Sequence, residues 1–106
     1  MNPNIQEMLD LVAQIPVGKV ASYGMVGARL SRPTTGRIVG RWLYLHGHDT
    51  TWWRVVSSTG HISLAKLDAA AAQDQMLRLR AEGVNIDDLR VDRAAFVDPD
   101  WDPEAR

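Results

Sequence analysis

The chain contains no cysteine. This absence excludes disulfide bonds, thiolate metal sites and any reaction that needs a cysteine nucleophile. No apolar run approaches the roughly 20 residues that cross a bilayer, and the acidic residues Glu7 and Asp10 stand where a signal peptide would be basic and then apolar. The sequence also lacks a phosphate-binding loop, a Gly-x-Ser-x-Gly run and a zinc-protease motif. We therefore expect a soluble cytoplasmic protein.

Length and composition predict one domain. A chain of 106 residues, 45% of them hydrophobic, can build one modest core. No internal repeat or linker interrupts it, so we expect a single domain over residues 1–106. Residues 87–106 are acidic and contain two prolines. We expect this tail to be irregular, with Phe96 and Trp101 attaching it to the body.

Acidic residues are scarce in the middle of the chain. Between Lys19 and Lys66 there are seven basic residues and one acid, Asp49, although the net charge of the chain is −1. After Lys66 the chain contains ten acidic residues and five arginines. A basic stretch inside a nearly neutral chain indicates a local patch for phosphates. An ordinary solvated surface is the alternative.

Helical periodicity is the main pattern of the chain. The predicted helices cover residues 4–14, 23–30, 36–45 and 67–81. Ser22 can cap the second helix, and Thr34 or Thr35 the third, because a hydroxyl oxygen accepts a free amide of the first turn. The second and third helices, joined by a tight turn, have the outline of a helix-turn-helix. Many all-helical domains contain such a pair.

The remaining segments predict a little β-structure. Residues 53–56 are aromatic and β-branched, which is typical of a strand. Residues 57–60 form a turn, and residues 61–63 are expected to pair back as the second strand of a small β-hairpin. Gly83 suits the left-handed position after the last helix. The predicted fold class is mainly α with a small β-hairpin, built on a winged-helix-like helix-turn-helix DNA-binding domain.

The third predicted helix has two different faces. One face is polar or small, and its members follow helical spacing: Arg37, Gly40, Arg41 and Tyr44. The other face is expected to pack against the core: Ile38, Val39, Trp42 and Leu45. Two guanidinium groups, a phenol and a glycine that permits close approach are more typical of a recognition helix than of a plain surface helix.

Three motifs in the right order resemble the O6-alkylguanine-DNA alkyltransferases. They are residues 15–24, residues 36–40 and residues 52–56, within a likeness that extends from Ile15 to Val84. In those enzymes a Pro-Cys-His-Arg-Val run contains the cysteine that removes an alkyl group from guanine. In this chain the corresponding run is Thr51-Trp52-Trp53-Arg54-Val55. An indole cannot replace that nucleophile, so the chain is similar to the alkyltransferase-like proteins, which bind the lesion without repairing it.

The resemblance implies lesion recognition in duplex DNA. Such a protein would bind O6-alkylguanine through the minor groove, flip the nucleotide out and bend the duplex, without transferring the alkyl group. Arg37 corresponds to the arginine finger of the family, which fills the vacated space. Tyr23 corresponds to a tyrosine that crowds the target phosphate and helps to rotate the nucleotide. Gly40 and Arg41 complete the predicted DNA-binding residues.

The resemblance also implies a lesion pocket that includes Tyr23. Trp52 would form an apolar wall for the alkyl group, and the backbone of Val55 would accept hydrogen bonds from the guanine amino group. Arg54 would brace this segment. Lys66 is the nearest candidate for the cationic residue that faces the lesion in the alkyltransferase-like proteins.

The expected partners are duplex DNA containing O6-alkylguanine and proteins of nucleotide excision repair, to which a bound lesion would be handed over. We expect a monomer without cofactor or metal, located in the cytoplasm and at the nucleoid when bound to DNA. One segment superficially resembles a metal site, because it contains His46, His48 and Asp49. Two histidines at i and i+2 without cysteine partners are a poor zinc site.

Each candidate residue has a plainer interpretation. Tyr23 could be a core tyrosine, Arg37 a surface arginine, and Trp52 ordinary packing. For Trp53 packing is the preferred interpretation. Glu82 matches the acid that orients the histidine in the enzymes. With no histidine to orient, we expect Glu82 to be a structural leftover or a surface residue.

Three other functions compete with lesion recognition. A helix-turn-helix regulator would read sequence in the major groove and ignore alkylation. An interaction module that has lost DNA binding would show no salt-dependent affinity for DNA. An enzyme with another nucleophile is the third alternative, but no serine, lysine or histidine arrangement supports it.

Overall fold

The structure, a computed structural model, describes residues 2–103 and confirms the predicted fold class. The helices of this part are α1 Pro3–Val12, α2 Tyr23–Ala28, α3 Gly36–His46 and α4 Ala69–Ala81. The strands are β1 Ala21–Ser22, β2 Val55–Val56, β3 Ile86–Asp87 and β4 Arg90–Val91. None of the helices in the described part combines the length and the apolarity that a bilayer crossing requires.

Side-chain caps begin the helices where the sequence predicts them. The Ser22 hydroxyl oxygen accepts the Met25 amide of α2 at 3.0 Å. Of the two candidate caps for α3, Thr35 is the one used, and its Oγ1 accepts the Ile38 amide at 3.3 Å. Each cap satisfies an amide that has no partner within its own helix.

A close approach fixes the turn between α2 and α3. The Thr34 amide donates to the Gly27 carbonyl at 3.0 Å. A Cβ at Gly27 would collide with the Thr34 carbonyl, so only glycine permits this contact. The turn therefore holds the two helices together as a helix-turn-helix, as predicted.

The predicted strand over residues 53–56 is largely wrong. Trp52–Arg54 forms a 3₁₀ turn, and only Val55 and Val56 are extended. Strand β2 pairs in parallel with β1, with Ala21 opposite Val55 and Ser22 opposite Val56. The pairing is non-local, so local propensity could not indicate it. As a result, the tryptophan turn lies directly beside the entry to α2.

The predicted hairpin over residues 53–63 is also wrong. Its turn forms, with the Gly60 amide donating to the Ser57 carbonyl at 2.9 Å. However, His61 pairs with Arg90, and the Ile62 amide donates to the Leu89 carbonyl at 2.7 Å. The returning segment therefore pairs with the tail instead of with β2.

The tail is ordered, contrary to the expectation that residues 87–106 are irregular. Strands β3 and β4 form an antiparallel hairpin, and Val91, Ala95 and Val97 are buried. The Val20 amide donates to the Ala95 carbonyl at 2.9 Å, and the Val97 amide donates back to the Val20 carbonyl at 2.9 Å. The acidic composition of the tail masked these apolar anchors. Residues 104–106 of this expectation lie outside the described part.

Two groups of buried side chains form the core. The first joins α1, α2 and α3, and Trp101 packs against it. The second lies under α4 and the tail, and Phe96 packs against it, so both predicted attachments of the tail are confirmed. The apolar face of α3 is narrower than predicted. Ile38 is 40% exposed and Leu45 53% exposed.

Buried Gln75 connects α4 to the tryptophan turn. Its Nε2 donates to the carbonyls of Val55 at 3.0 Å and of Trp53 at 3.2 Å. Water has little access to the Val55 carbonyl, because Val55 is fully buried and Gln75 is only 1% exposed. The Gln75 amide thus supplies a hydrogen-bond donor to both backbone carbonyls.

Replacing this glutamine should destabilise the protein. We expect Gln75→Ala to lower the free energy of unfolding by about 2 kcal/mol, because it removes a hydrogen-bond donor from the buried Val55 carbonyl and opens a cavity. Gln73→Ala, at an exposed position of the same helix, is the matched control and should change it by less than about 0.5 kcal/mol. Chemical denaturation measures both. Equal effects would contradict the role of Gln75.

Candidate nucleic-acid interface

A cavity of about 550 Å³ opens between α3, the tryptophan turn and α4. Of the predicted site residues, three line it together: Tyr23, Gly40 and Trp52. Leu43, Tyr44 and Leu64 add to its wall, and α4 contributes Ala71, Asp74 and Arg78. A second cavity of about 600 Å³ lies between the C-terminal end of α4 and the β3–β4 hairpin. It contains none of the predicted site residues.

Tyr23 begins α2 and borders the cavity, close to α3. A Cβ at Gly36 would lie 2.8 Å from the Gly24 amide nitrogen, so glycine is needed where the two helices begin side by side. Burial raises the pKa of Tyr23, and a side-chain hydrogen bond with Ser63 partly offsets this effect. The phenol therefore stays protonated at neutral pH and can donate a hydrogen bond.

Gly40 and the exposed arginines lie on the outer face of α3. A Cβ at Gly40 would be in ordinary contact with the Tyr23 ring, at 3.6 Å. Arg37 and Arg41 are exposed, and their guanidinium groups form no hydrogen bond or ion pair with any residue between 2 and 103. Two unpaired guanidinium groups beside a cavity are suited to binding phosphates or bases.

The two tryptophans of the turn have different surroundings. Their rings meet edge to face, with centroids 6.2 Å apart and planes at 89°. Trp52 is partly buried and lines the cavity. Trp53 is not among the residues that line the cavity, and its indole Nε1 donates to Glu82 Oε2 at 2.8 Å. Trp53 therefore has a polar role in addition to packing.

Glu82 is the centre of a largely buried network, which corrects the expectation of a structural leftover or a surface residue. Arg54 Nη2 lies 2.8 Å from Glu82 Oε2, and Arg54 Nε lies 3.0 Å from Oε1. The Gly18 amide also donates to Oε1 at 3.0 Å. Arg54 Nη1 donates to the Ile15 carbonyl at 2.8 Å. The network ties the α1–β1 connection, the tryptophan turn and the end of α4 together.

The charge of Glu82 is stabilised where it lies. Burial alone would raise its pKa, but hydrogen bonds from Arg54, Gly18 and Trp53, together with the positive charge of Arg54, lower it overall. The carboxylate is therefore ionised at neutral pH and accepts every one of these bonds.

Three residues of the predicted lesion pocket do not line this cavity. Arg54 is 8% exposed and faces Glu82, so it braces the segment, as the resemblance implies, without facing a ligand. Val55 is fully buried, and its carbonyl accepts the hydrogen bond from Gln75. Lys66 is exposed at the end of the 3₁₀ turn Ser63–Lys66, two residues beyond Leu64 of the wall.

Sequence reasoning missed the wall that α4 provides. The Arg78 guanidinium carbon lies 4.7 Å from the ring centroid of Trp53 and 6.0 Å from that of Trp52. Arg78 also pairs with Asp74 at 2.9 Å. Asp74 and Arg78 share one face of α4, and this spacing was the available signal. The alanine-rich start of the helix gave no reason to place that face beside the tryptophans.

The histidines that suggested a metal site remain isolated. His48 lines the cavity, whereas His46 ends α3. Among residues 2–103, no three histidine, aspartate or glutamate side chains gather closely enough to hold a metal ion.

Known proteins resemble this chain in sequence and in structure. The family profile described as "6-O-methylguanine DNA methyltransferase, DNA binding domain" matches residues 3–84. The chain is 39% identical over 83 residues to "Alkyltransferase-like protein 1" of Schizosaccharomyces pombe, covering 76% of this chain and 75% of that protein. It is 32% identical over 91 residues to a "DNA base-flipping protein" of Vibrio parahaemolyticus, covering 84% and 88%.

A solved structure shares the fold. The crystal structure of S. pombe Atl1 in complex with damaged DNA containing O6-carboxymethylguanine matches with a TM-score of 0.71 and 32% identity. The match covers 86% of this chain and 87% of that chain. The part of the chain that the family profile matches, residues 3–84, includes the helix-turn-helix, the tryptophan turn and α4.

The Glu82 network should make stability depend on pH. The folded-state pKa of Glu82 lies below its ordinary value of 4.5. The stabilisation that the ionised carboxylate contributes to the folded state is therefore complete above pH 4.5 and is lost as pH falls through the folded-state pKa. We expect Glu82→Gln to lower the free energy of unfolding by about 3 kcal/mol at pH 7, because Arg54 loses its buried partner. The difference from the wild type should shrink below pH 4.5.

Denaturant titrations between pH 3 and pH 7 measure this difference. Asp74→Asn is the matched control, because it breaks an ion pair whose side chains are 46% and 48% exposed. Asp74→Asn should lower the free energy of unfolding by less than about 1 kcal/mol. A Glu82→Gln deficit that does not change with pH would contradict the role of the charge.

Proposed function

The chain belongs to the family of the 6-O-methylguanine DNA methyltransferase DNA-binding domain, as an alkyltransferase-like protein, and we propose that it recognises O6-alkylguanine in duplex DNA. One observation is the main support: Trp52 stands at the position of the nucleophilic cysteine and lines a cavity beside the outer face of α3. The S. pombe relative was crystallised with DNA containing such a lesion.

The damaged base would enter this cavity after leaving the duplex. A volume of about 550 Å³ lies within the range of small-molecule sites, about 300–1,000 Å³. Trp52 offers an apolar face to the alkyl group, which water would solvate poorly. Tyr23 offers a protonated phenol at the opening.

Arg37 is the proposed finger that replaces the flipped nucleotide. Its guanidinium is exposed, lies near the start of α3 and has no partner within residues 2–103. A planar cation can stack on the neighbouring bases and donate hydrogen bonds to the orphaned partner base. Arg41 follows one turn later and would contact the backbone, where Gly40 permits close approach. Tyr23 would press against the target phosphate.

The protein would transfer nothing and would hold the lesion for removal by others. The chain has no cysteine to accept an alkyl group, and the Trp52 ring is not a nucleophile of comparable strength. Insertion from the minor groove would bend the duplex. A bent, stably marked lesion is a substrate for nucleotide excision repair, which we propose as the receiving system. A monomer is sufficient for inspecting one lesion.

Removing the finger should abolish the preference for damaged DNA. We expect Arg37→Ala to bind a duplex containing one O6-methylguanine about tenfold more weakly, while affinity for the undamaged duplex falls much less. Arg32→Ala removes the same charge from a neighbouring exposed position and should weaken binding to both duplexes equally. Fluorescence anisotropy measures all four affinities.

The same titrations separate the proposed function from its main rival. Equal wild-type affinity for damaged and undamaged duplexes would contradict lesion recognition. Affinity that follows base sequence and ignores alkylation would indicate a helix-turn-helix regulator reading the major groove. If Arg37→Ala retains the full lesion preference, the finger is assigned to the wrong residue.

The absence of transfer is a separate prediction. After prolonged incubation with excess O6-methylguanine duplex, intact-mass spectrometry should find the protein without an added methyl group, and the DNA should keep its lesion. An alkyltransferase that has its cysteine is the positive control. A stoichiometric methyl adduct on this protein would overturn the prediction.

A further inference from the structure

The α4 side of the cavity contains more negative than positive charge. Three ionisable side chains line it from this helix and its cap: Asp68, Asp74 and Arg78. Asp68 is the N-cap of α4, and its Oδ1 accepts the Ala71 amide at 3.0 Å. Two carboxylates against one guanidinium leave a formal excess of one negative charge on this wall.

The carboxylate of Asp68 is ionised at neutral pH. Hydrogen bonds from the Ala71 amide and from the Tyr44 hydroxyl lower the pKa of Asp68. Its Oδ2 accepts the Tyr44 hydroxyl at 3.1 Å, which also holds the carboxylate at the cavity between α3 and α4. Asp74 forms an ion pair with Arg78.

The one cation of the wall is already engaged. Arg78 Nε donates to Asp74 Oδ1 at 2.9 Å. Its guanidinium also lies over the rings of Trp53 and Trp52. The positive charge is thus offset by a carboxylate and directed at aromatic faces. The charge of Asp68 has no cation paired with it among residues 2–103.

We propose that this wall makes the cavity of this chain select lesions by charge: it binds neutral O6-alkyl groups more tightly than anionic carboxyalkyl groups, although the S. pombe relative was crystallised with DNA containing the anionic adduct O6-carboxymethylguanine. The inference rests on the proposed function, because it assumes that the alkyl group enters beside Trp52. The Arg78 guanidinium carbon is 6.0 Å from the centre of that ring. A charged adduct at this depth therefore lies close to the α4 wall.

Exchange of partners does not remove the repulsion. If Arg78 left Asp74 to bind an anionic adduct, Asp74 would become the unpaired carboxylate beside the same adduct. The cavity would then hold three negative charges and one positive charge in either arrangement. A base seated in the cavity also displaces water, which strengthens the interaction among the charges that remain.

The test compares duplexes of one sequence that contain O6-methylguanine, O6-carboxymethylguanine or O6-(carbamoylmethyl)guanine. The last two adducts have nearly the same shape and differ in charge. We expect the wild type to bind the carboxymethyl duplex about fivefold more weakly than the carbamoylmethyl duplex. Equal or tighter binding of the carboxymethyl duplex would overturn the inference.

Two conservative variants should remove the discrimination. Asp74→Asn frees Arg78 from its ion pair and should bring carboxymethyl affinity level with carbamoylmethyl affinity or above it. Asp68→Asn should reduce the discrimination, and asparagine remains a good N-cap. Asp100→Asn makes the same change in net charge at an exposed position outside the cavity. It should leave the ratio of the two affinities unchanged.

The outcomes separate this inference from the proposed function. If the wild type fails to prefer O6-methylguanine over guanine, lesion recognition itself fails. If that preference holds and the ratio of carboxymethyl to carbamoylmethyl affinity is the same in Asp74→Asn as in the wild type, only the charge selection fails. An equal shift of this ratio in Asp100→Asn would assign the effect to general repulsion from DNA and would also overturn the inference.

Discussion

The buried ion pair between Arg54 and Glu82 fixes the arrangement on which the cavity depends. Glu82 comes directly after α4, and Arg54 ends the tryptophan turn. Their bond, 2.8 Å at its shortest, joins segments 28 residues apart in the chain. The Gly18 amide and the Ile15 carbonyl complete the network from the connection before β1. Without it, two buried charges would be left unpaired in the place where three segments meet.

Burial and pairing distinguish Arg54 from the two arginines on the outer face of α3. Arg54 has its donors satisfied by Glu82 and Ile15, and it is 8% exposed. Arg37 and Arg41 extend from the outer face of α3 without a partner in the described part. The first kind stabilises the fold, and the second remains available to a ligand. A count of basic residues in the sequence includes both kinds. The positively charged surface that is available to a ligand is therefore smaller than this count indicates.

Local signals predicted the helical part well and the strands poorly. Ser22 and Thr35 each accept a hydrogen bond from an amide three residues later in the chain. A hydroxyl residue just before a segment with helical apolar spacing is therefore sufficient to predict the cap. Strand β2 depends on a partner more than thirty residues earlier in the chain. The Glu82 network and the α4 wall depend in the same way on which segments meet. Arg78 lies beside Trp52 because α4 packs against the tryptophan turn, and buried Gln75 connects the helix to that turn.

Trp53 shows why the cysteine and histidine positions could change without loss of the scaffold. By resemblance, an acid at the position of Glu82 orients the histidine of the alkyltransferases. The indole of Trp53 also presents an N–H to that carboxylate, at 2.8 Å. The substitution therefore preserves the hydrogen bond that Glu82 requires while removing the base that would activate a nucleophile. Glu82 needs donors whether or not catalysis takes place, because an ionised carboxylate with little access to water is costly without them. The requirement of Glu82 for donors is thus structural, and the neighbouring Trp52 lines the cavity without entering the network.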